Sequence, residues 1–260
     1  MKILFIGDVV GRPGRTALEA RLGKLIDRHA VDLVVANGEN AAAGFGLTAE
    51  VARDLFDFGV DVLTSGNHIW DKREIYDHLE NDSRLLRPAN YPAGLPGRGA
   101  GIFRTAGDIR VGVINLEGRV FMNNLDCPFR AADALVEELR QQTPVILVDF
   151  HAEATSEKVA LGHYLDGRVS LVVGTHTHVQ TADEQILPGG TAYLTDAGMT
   201  GSRDGVIGIR KELSIERFLT QVPVRFEVAK KDPVLCGLVV EIDEVTGRAI
   251  AVERVSELIG

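Results

Sequence analysis

Cysteine is scarce: Cys127 and Cys236 are the two residues of this type in 260, far apart and in no CxxC pair. That count argues against a disulfide framework and against a thiolate zinc site. Two buried or inert thiols in a reducing compartment are expected instead. Long apolar runs are missing as well, since none approaches the roughly 18 residues of a membrane helix. The apolar start Met1–Ile6 is too short for a signal peptide and soon meets Asp8. A cytoplasmic protein without a membrane partner is expected. Positive charge is in deficit, with 28 Lys and Arg against 37 Asp and Glu and a net charge of -9. The chain therefore lacks the basic footprint that grips a long nucleic acid. A small phosphate ester is not excluded, because bound divalent cations would reverse the local field. There is no repeat, low-complexity tract or linker, and 45% hydrophobic with 25% charged residues is an ordinary globular balance. One domain over 1–260 is expected.

What is present is an alternation of short apolar runs and helical patterns. Ile3–Ile6 is a strand pattern. Arg15–His29 is helical, with Leu18, Leu22, Leu25 and Ile26 on one face. Asp32–Ala36 is a second strand, Thr48 can cap a second helix, and Val60–Leu63 is a third strand. This order argues for parallel βαβ units. Arg87–Gly101, with three prolines and four glycines, reads as an irregular loop. A strand from Ile109 or Arg110 to Leu116, a helix over Ala131–Gln141, a strand over Val145–Phe150, a helix over Glu157–Leu165 and a strand over Val169–Val173 follow. The remainder, including Thr191–Leu194, Val222–Val228 and Leu235–Val252, is strand-rich and suggests a second sheet packed on the first.

Five apolar runs end in polar clusters: Asp8; Glu39-Asn40; Asn67-His68; His151; and His176 with His178. The carboxyl ends of parallel strands share one edge, where ligands of open α/β folds bind. Singly, Asp8 could cap a helix, Glu39-Asn40 could form a turn, and His68 could be a loop histidine. His176-x-His178 is stronger, because alternate residues at a strand end can face one cation. Coincidence at all five ends is much harder to accept than at any one. Imidazole, carboxylate and amide oxygen together suit Fe, Mn or Zn better than Ca or Mg. Seven such ligands exceed one tetrahedral ion. They fit two ions about 3.5–4 Å apart, with Glu39 as a bridging carboxylate.

Gly7-Asp8, Gly66-Asn67-His68 and Gly174-Thr175-His176-Thr177-His178 resemble the motifs of calcineurin-like metallophosphoesterases. The fuller motifs narrow the match: Gly7 to Gly11, Asn37 to Ala41, Gly66 to Asp71, His151 to Lys158 and Thr195 to Gly201 resemble the YmdB-like phosphodiesterase group over nearly the whole chain. Val10 stands where the wider superfamily has the histidine of Asp-x-His, and Glu39 stands for its bridging Asp; the YmdB-like group shares both features. Ser202-Arg203-Asp204-Gly205 departs from that group, where a proline commonly follows the glycine.

The resemblance implies a four-layer α/β/β/α sandwich of two mixed sheets flanked by helices. It implies two transition-metal ions, Fe or Mn ahead of Zn. One would be held by Asp8, Glu39, Asn40 and His178, the other by Glu39, Asn67, His151 and His176. It implies hydrolysis of 2′,3′-cyclic and also 3′,5′-cyclic nucleotides or related phosphodiesters, and it is compatible with a homo-oligomer. In that scheme a hydroxide between the ions attacks phosphorus, and His68 is the general acid. Asp149 and Asp196 are candidates to fix the tautomer of a ligand histidine. Arg12, Arg203 and Arg210 are candidates to touch substrate. Two rivals stand beside this reading. Gly7, Gly11 and Gly14 could open a dinucleotide site, but their spacing is not G-x-G-x-x-G and a Walker lysine is absent. The same scaffold could also be a non-enzymatic sensor of nucleotide or metal.

Overall fold

The computed structural model describes residues 1–259. The chain opens with β1 (Lys2–Ile6), the short β2 (Asp8–Val9), α1 (Gly11–His29), β3 (Leu33–Asn37), α2 (Ala49–Asp57), β4 (Val62–Thr64) and α3 (Ile75–Asn81). It continues through β5 (Ala100–Arg104), β6 (Arg110–Glu117), α4 (Pro128–Arg140), β7 (Ile146–His151), α5 (Thr155–Leu165), β8 (Leu171–Thr175), β9 (Gln185–Ile186) and β10 (Ala192–Leu194). It closes with β11 (Met199–Ser202), α6 (Lys211–Thr220), β12 (Pro233–Ile242) and β13 (Ala249–Leu258).

Two mixed sheets result. One runs β2-β11-β12-β1-β3-β4 with β13 beside β12, and the other runs β5-β6-β7-β8-β10-β9. β1, β3 and β4 are mutually parallel in the first, and β6, β7, β8 and β10 in the second. Period-two alternation sorts each strand into two cores. Ile3, Phe5, Leu33, Val35 and Val62 meet Val111, Val113, Leu147, Leu171 and Val173 between the sheets. On the outer faces, Leu4, Ile6, Val34 and Ala36 pack under α1 and α2, while Ile146, Val148 and Phe150 pack under α4 and α5. Helix, sheet, sheet and helix thus form the four layers implied by the family resemblance.

Several sequence expectations need correction. The five strand ends do not share one parallel sheet: three belong to the first and two, β7 and β8, to the second. The second sheet starts at β5; Thr191–Leu194 does join it through β10, but the rest of the strand-rich C-terminus extends the first sheet through β11, β12 and β13. β5 emerges from the end of the Pro- and Gly-rich stretch, pairing antiparallel with β6. Val222–Val228 is not a strand. It is an extended connection held by a single bridge between Ile209 and Val228, and it follows the unexpected helix α6. α1 begins at Gly11 rather than Arg15, with Pro13 in its first turn, where a missing N–H costs nothing. Thr48 does cap α2, its Oγ1 accepting the Val51 N–H at 3.2 Å. Both cysteines are free, Cys236 buried and Cys127 half-buried at the start of α4. No helix among the described residues is long and apolar enough to cross a membrane.

The glycine of the first strand end serves chain crossing rather than a dinucleotide. A Cβ on Gly7 would lie 1.9 Å from the Gly198 carbonyl oxygen. That close approach lets β2 pair with β11 and delivers Asp8 between the sheets. Gly7→Ala is therefore expected to destabilise the protein by about 1–3 kcal/mol, because rigid backbone must move. Gly23→Ala, in α1 with nothing within 4 Å of the new Cβ, should be neutral or stabilise by roughly 0.5–1 kcal/mol. Thermal melts of the two variants check this pair, and similar melting temperatures would contradict it.

Candidate metal centre

The inner face of each strand changes character toward its carboxyl end. The register that carries apolar residues between the sheets continues into Asn37 on β3, Thr64 on β4, Asn115 and Glu117 on β6, Asp149 and His151 on β7, and Thr175 on β8. These side chains are buried, so each must be bonded or ion-paired. Asp149 collects three donors: Asn37 Nδ2 at 2.9 Å and Thr64 Oγ1 at 2.5 Å from the first sheet, and Thr175 Oγ1 at 2.7 Å from its own. Asn115 exchanges two bonds with the Ser65 backbone, each 3.0 Å. A polar floor thus joins the two sheet edges below the site.

On that floor the sequence-derived ligands converge. His151 Nδ1 lies 2.9 Å from Thr175 Oγ1, whose hydrogen goes to Asp149. Nδ1 must then be the donor, and Nε2 is the atom presented to the site. It lies 2.9 Å from Glu39 Oε2, 3.2 Å from Asn67 Oδ1 and 3.1 Å from His176 Nδ1. Glu39, His151 and His176 bring ligand atoms within 4.8 Å of one another. A second cluster adjoins it, in which His178 Nε2 lies 3.8 Å from Asp8 Oδ1 and 3.3 Å from Asn40 Nδ2. Glu39 stands between the clusters, Oε2 accepting from Asn40 and Oε1 from the His68 backbone N–H. Gly66 makes room for the His151 ring, which a Cβ there would approach to 2.2 Å.

All seven expected ligands are therefore brought together, but not by the geometry expected for His176 and His178. They are not alternate residues of a strand facing one point. β8 ends at Thr175, and both histidines lie beyond it in left-handed backbone, φ 97° and 65°. This region is costly for residues with a Cβ. The bend splits them, His176 toward His151 and His178 toward Asp8 and Asn40. Asp8 Oδ2 accepts the His176 N–H at 3.1 Å, and Asp196 Oδ2 accepts the Thr177 N–H and hydroxyl at 3.2 and 2.6 Å. Asp196 is neutralised by buried Lys158 at 2.6 Å. So Asp196 shapes the histidine loop rather than setting a histidine tautomer. Asp149 does set one, at one remove, through Thr175.

The electrostatics of the cluster suit a cation. Burial works against the Glu39 carboxylate, but the charge and hydrogen bond of His151 and the His68 N–H outweigh it and hold the group at about 2. Burial likewise opposes charge on His151, yet Glu39, Asp8 and Asp149 hold its imidazolium up to about 9. His176 is pushed down to about 3 by burial and by the charge on His151, which leaves a neutral imidazole. Burial raises Asp8, and lifts Asp149 to about 6 and Glu117 to about 7. Asp8 Oδ1 and Asn40 Oδ1 are buried without any hydrogen-bond partner. Two orphaned oxygens beside carboxylate and imidazole are what a transition-metal ion would satisfy, so the donor set fits the expected metals.

His68, like Asn67, His176 and His178, is partly exposed rather than buried with Asp8, Glu39, Asn40 and His151. Its side chain is 32% exposed, its Nδ1 is 2.9 Å from Asp71 Oδ2, and its ring meets Phe45 edge-on at 5.2 Å. It lines a cavity of about 150 Å³ together with Glu39, Asn40, His176 and His178. Sequence reasoning missed Asn37, Thr64, Asn115, Glu117 and Thr175, all of which lie within strands rather than beyond them. The signal that would have found them is the strand period itself: each keeps the parity of the apolar residues before it.

Relatives of this chain are known. The family model described as YmdB-like protein matches residues 4–255. The 2′,3′-cyclic-nucleotide 2′-phosphodiesterase of Bacillus subtilis (strain 168) is 52% identical over 255 residues, 98% of this chain and 96% of that protein. Among solved structures, a hypothetical protein from Thermus thermophilus superposes with a TM-score of 0.93 at 45% identity, covering 99% of both chains. A novel phosphatase from Mycoplasma pneumoniae superposes with a TM-score of 0.93 at 35% identity, covering 99% of this chain and 93% of the other. With one family model spanning nearly its whole length, the chain belongs to the YmdB-like protein family.

Proposed function

We propose that this protein is a dinuclear-metal phosphodiesterase that hydrolyses nucleoside 2′,3′-cyclic phosphates, with 3′,5′-cyclic nucleotides as further substrates, from a single domain. The observation that carries the reading is the pair of orphaned buried oxygens, Asp8 Oδ1 and Asn40 Oδ1, beside a cavity lined by Glu39, His68, His176 and His178. The name of the Bacillus subtilis relative supports the substrate class.

Asp8, Glu39, Asn40 and His178 would hold one ion, and Glu39, Asn67, His151 and His176 the other. When bound, the pair would supply Lewis acidity to the phosphate oxygens and lower the pKa of water from about 15.7 toward 7, so that no side-chain base is required. The chain's own residues do the rest. Thr175 and Asp149 keep the His151 proton on Nδ1 and its Nε2 turned inward. Asp71 occupies His68 Nδ1, which leaves Nε2 to serve the substrate. As the water oxygen bonds to phosphorus, the phosphorus–O2′ bond breaks. O2′ takes a proton from His68 and water's own proton passes to solvent, leaving a 3′-phosphate.

His68→Ala should retain its metal while the turnover rate falls by about 10²–10⁴-fold, and an unchanged rate with a poor leaving group would refute the acid role. Glu39→Ala removes the shared carboxylate, so elemental analysis of the purified variant should find well under the two ions per chain expected of the native protein. Full occupancy with normal turnover would contradict the bridge. Metal affinity should also depend on pH with a definite sign. Without cations His151 carries a proton up to about 9, and an ion at Nε2 must expel it. Affinity should therefore rise by roughly tenfold per pH unit from neutrality toward that value and level off above it. Titration calorimetry in buffers of different ionisation enthalpy reads the released proton directly.

A further inference from the structure

Next to the metal cavity lies a larger groove of about 760 Å³, lined by Arg12, Pro13, Ala43, Arg225, Phe226 and Lys230 among others. Phe226 lines both spaces, so the groove continues from the cavity that His68 and His178 enclose. The groove is basic. In a protein of net charge -9 it collects three exposed cations, and among the described residues none of them meets a carboxylate. Glu227, also in the lining, is engaged elsewhere, 3.0 Å from Arg210 Nη1. The wall carrying Arg225 to Lys230 is anchored rather than loose. Arg210 N–H donates to the Glu227 carbonyl and Ala229 N–H to the Gly208 carbonyl, both at 2.9 Å.

Unpaired arginine and lysine beside an aromatic ring, along a path leading from a phosphoester site, form the combination that tracks a single-stranded nucleic-acid backbone. We propose that the groove is a subsite for the nucleotide preceding a 2′,3′-cyclic phosphate, so that the preferred substrate is the 3′ end of a short oligoribonucleotide. Arg12, Arg225 and Lys230 take its internucleotide phosphate and Phe226 stacks a base. A short strand is in keeping with a protein too acidic to grip a long one. This substrate class rests on the phosphodiesterase reading above.

The test compares metal-loaded wild type and an Arg225→Ala/Lys230→Ala variant on three compounds: adenosine 2′,3′-cyclic phosphate, its 5′-phosphorylated form, and a diadenylate ending in a 2′,3′-cyclic phosphate. Wild type should show kcat/KM higher on the dinucleotide than on the nucleoside by about tenfold or more at low salt. That preference should weaken with a salt slope steeper by about 0.7 per phosphate contacted. The variant should lose the preference while keeping its rate on the mononucleoside and its melting temperature. Equal kcat/KM on all three compounds, a variant that keeps the preference, or a gain produced entirely by the 5′-phosphate would overturn the subsite. Fluorescence anisotropy with a labelled diadenylate 3′-phosphate reads the groove apart from turnover. If no compound is cleaved, the phosphodiesterase reading fails, and the subsite stands or falls on whether the variant binds that probe more weakly.

Discussion

Buried negative charge at the seam between two sheets is the constraint on which this molecule depends. Asp8, Glu39, Glu117 and Asp149 lose their water in one layer, at a cost on the order of several kcal/mol for each ion left uncompensated. The fold meets that cost in graded ways. Asp149 is surrounded by hydroxyl and amide donors, Glu39 draws on His151, and Asp8 is left with a bare oxygen. A protonated His151 is the charge the chain itself can supply. Two divalent cations would supply more and release that proton. The seam thus carries a field that suits cations, where the apolar filling between the sheets gives out.

The surroundings of the site serve its geometry. The cross-sheet bonds through Asp149 and Asn115 tie together two edges that carry different proposed ligands. The Lys158–Asp196 pair holds the strained loop that sends His176 and His178 in different directions. These buried polar groups are rigid because each has its partner. On the exposed side His68 and Phe45 face the cavity, and the basic groove opens beyond them.

Much of this was legible in the sequence, for physical reasons that can be named. Apolar runs ending at Asp8, Glu39, Asn67, His151 and His176 are visible because buried parallel strands are apolar throughout and their ligands follow them. Membership of two sheets was not legible, since the periodicity of β7 and β8 is the same whichever sheet they join. The helix α6 and the extended stretch after it escaped because Phe218, Leu219 and Val222 remain exposed, so their hydrophobicity carries no core pattern. Glu117 and Asn115 could have been found by carrying strand parity past the last apolar residue. The left-handed backbone of His176 and His178 could not, because neither is a glycine and histidine, though enriched at positive φ, adopts it in only a small minority of cases.

Everything turns on whether two cations occupy this seam. Anomalous diffraction from crystals of the natively purified protein, collected on either side of the iron and manganese edges, measures it directly. Two peaks about 3.5–4 Å apart are expected, with Glu39 touching both, Asp8 and His178 on one side and His151 and His176 on the other. A single peak, or none with Asp8 Oδ1 and Asn40 Oδ1 bonded to water instead, would contradict the dinuclear reading.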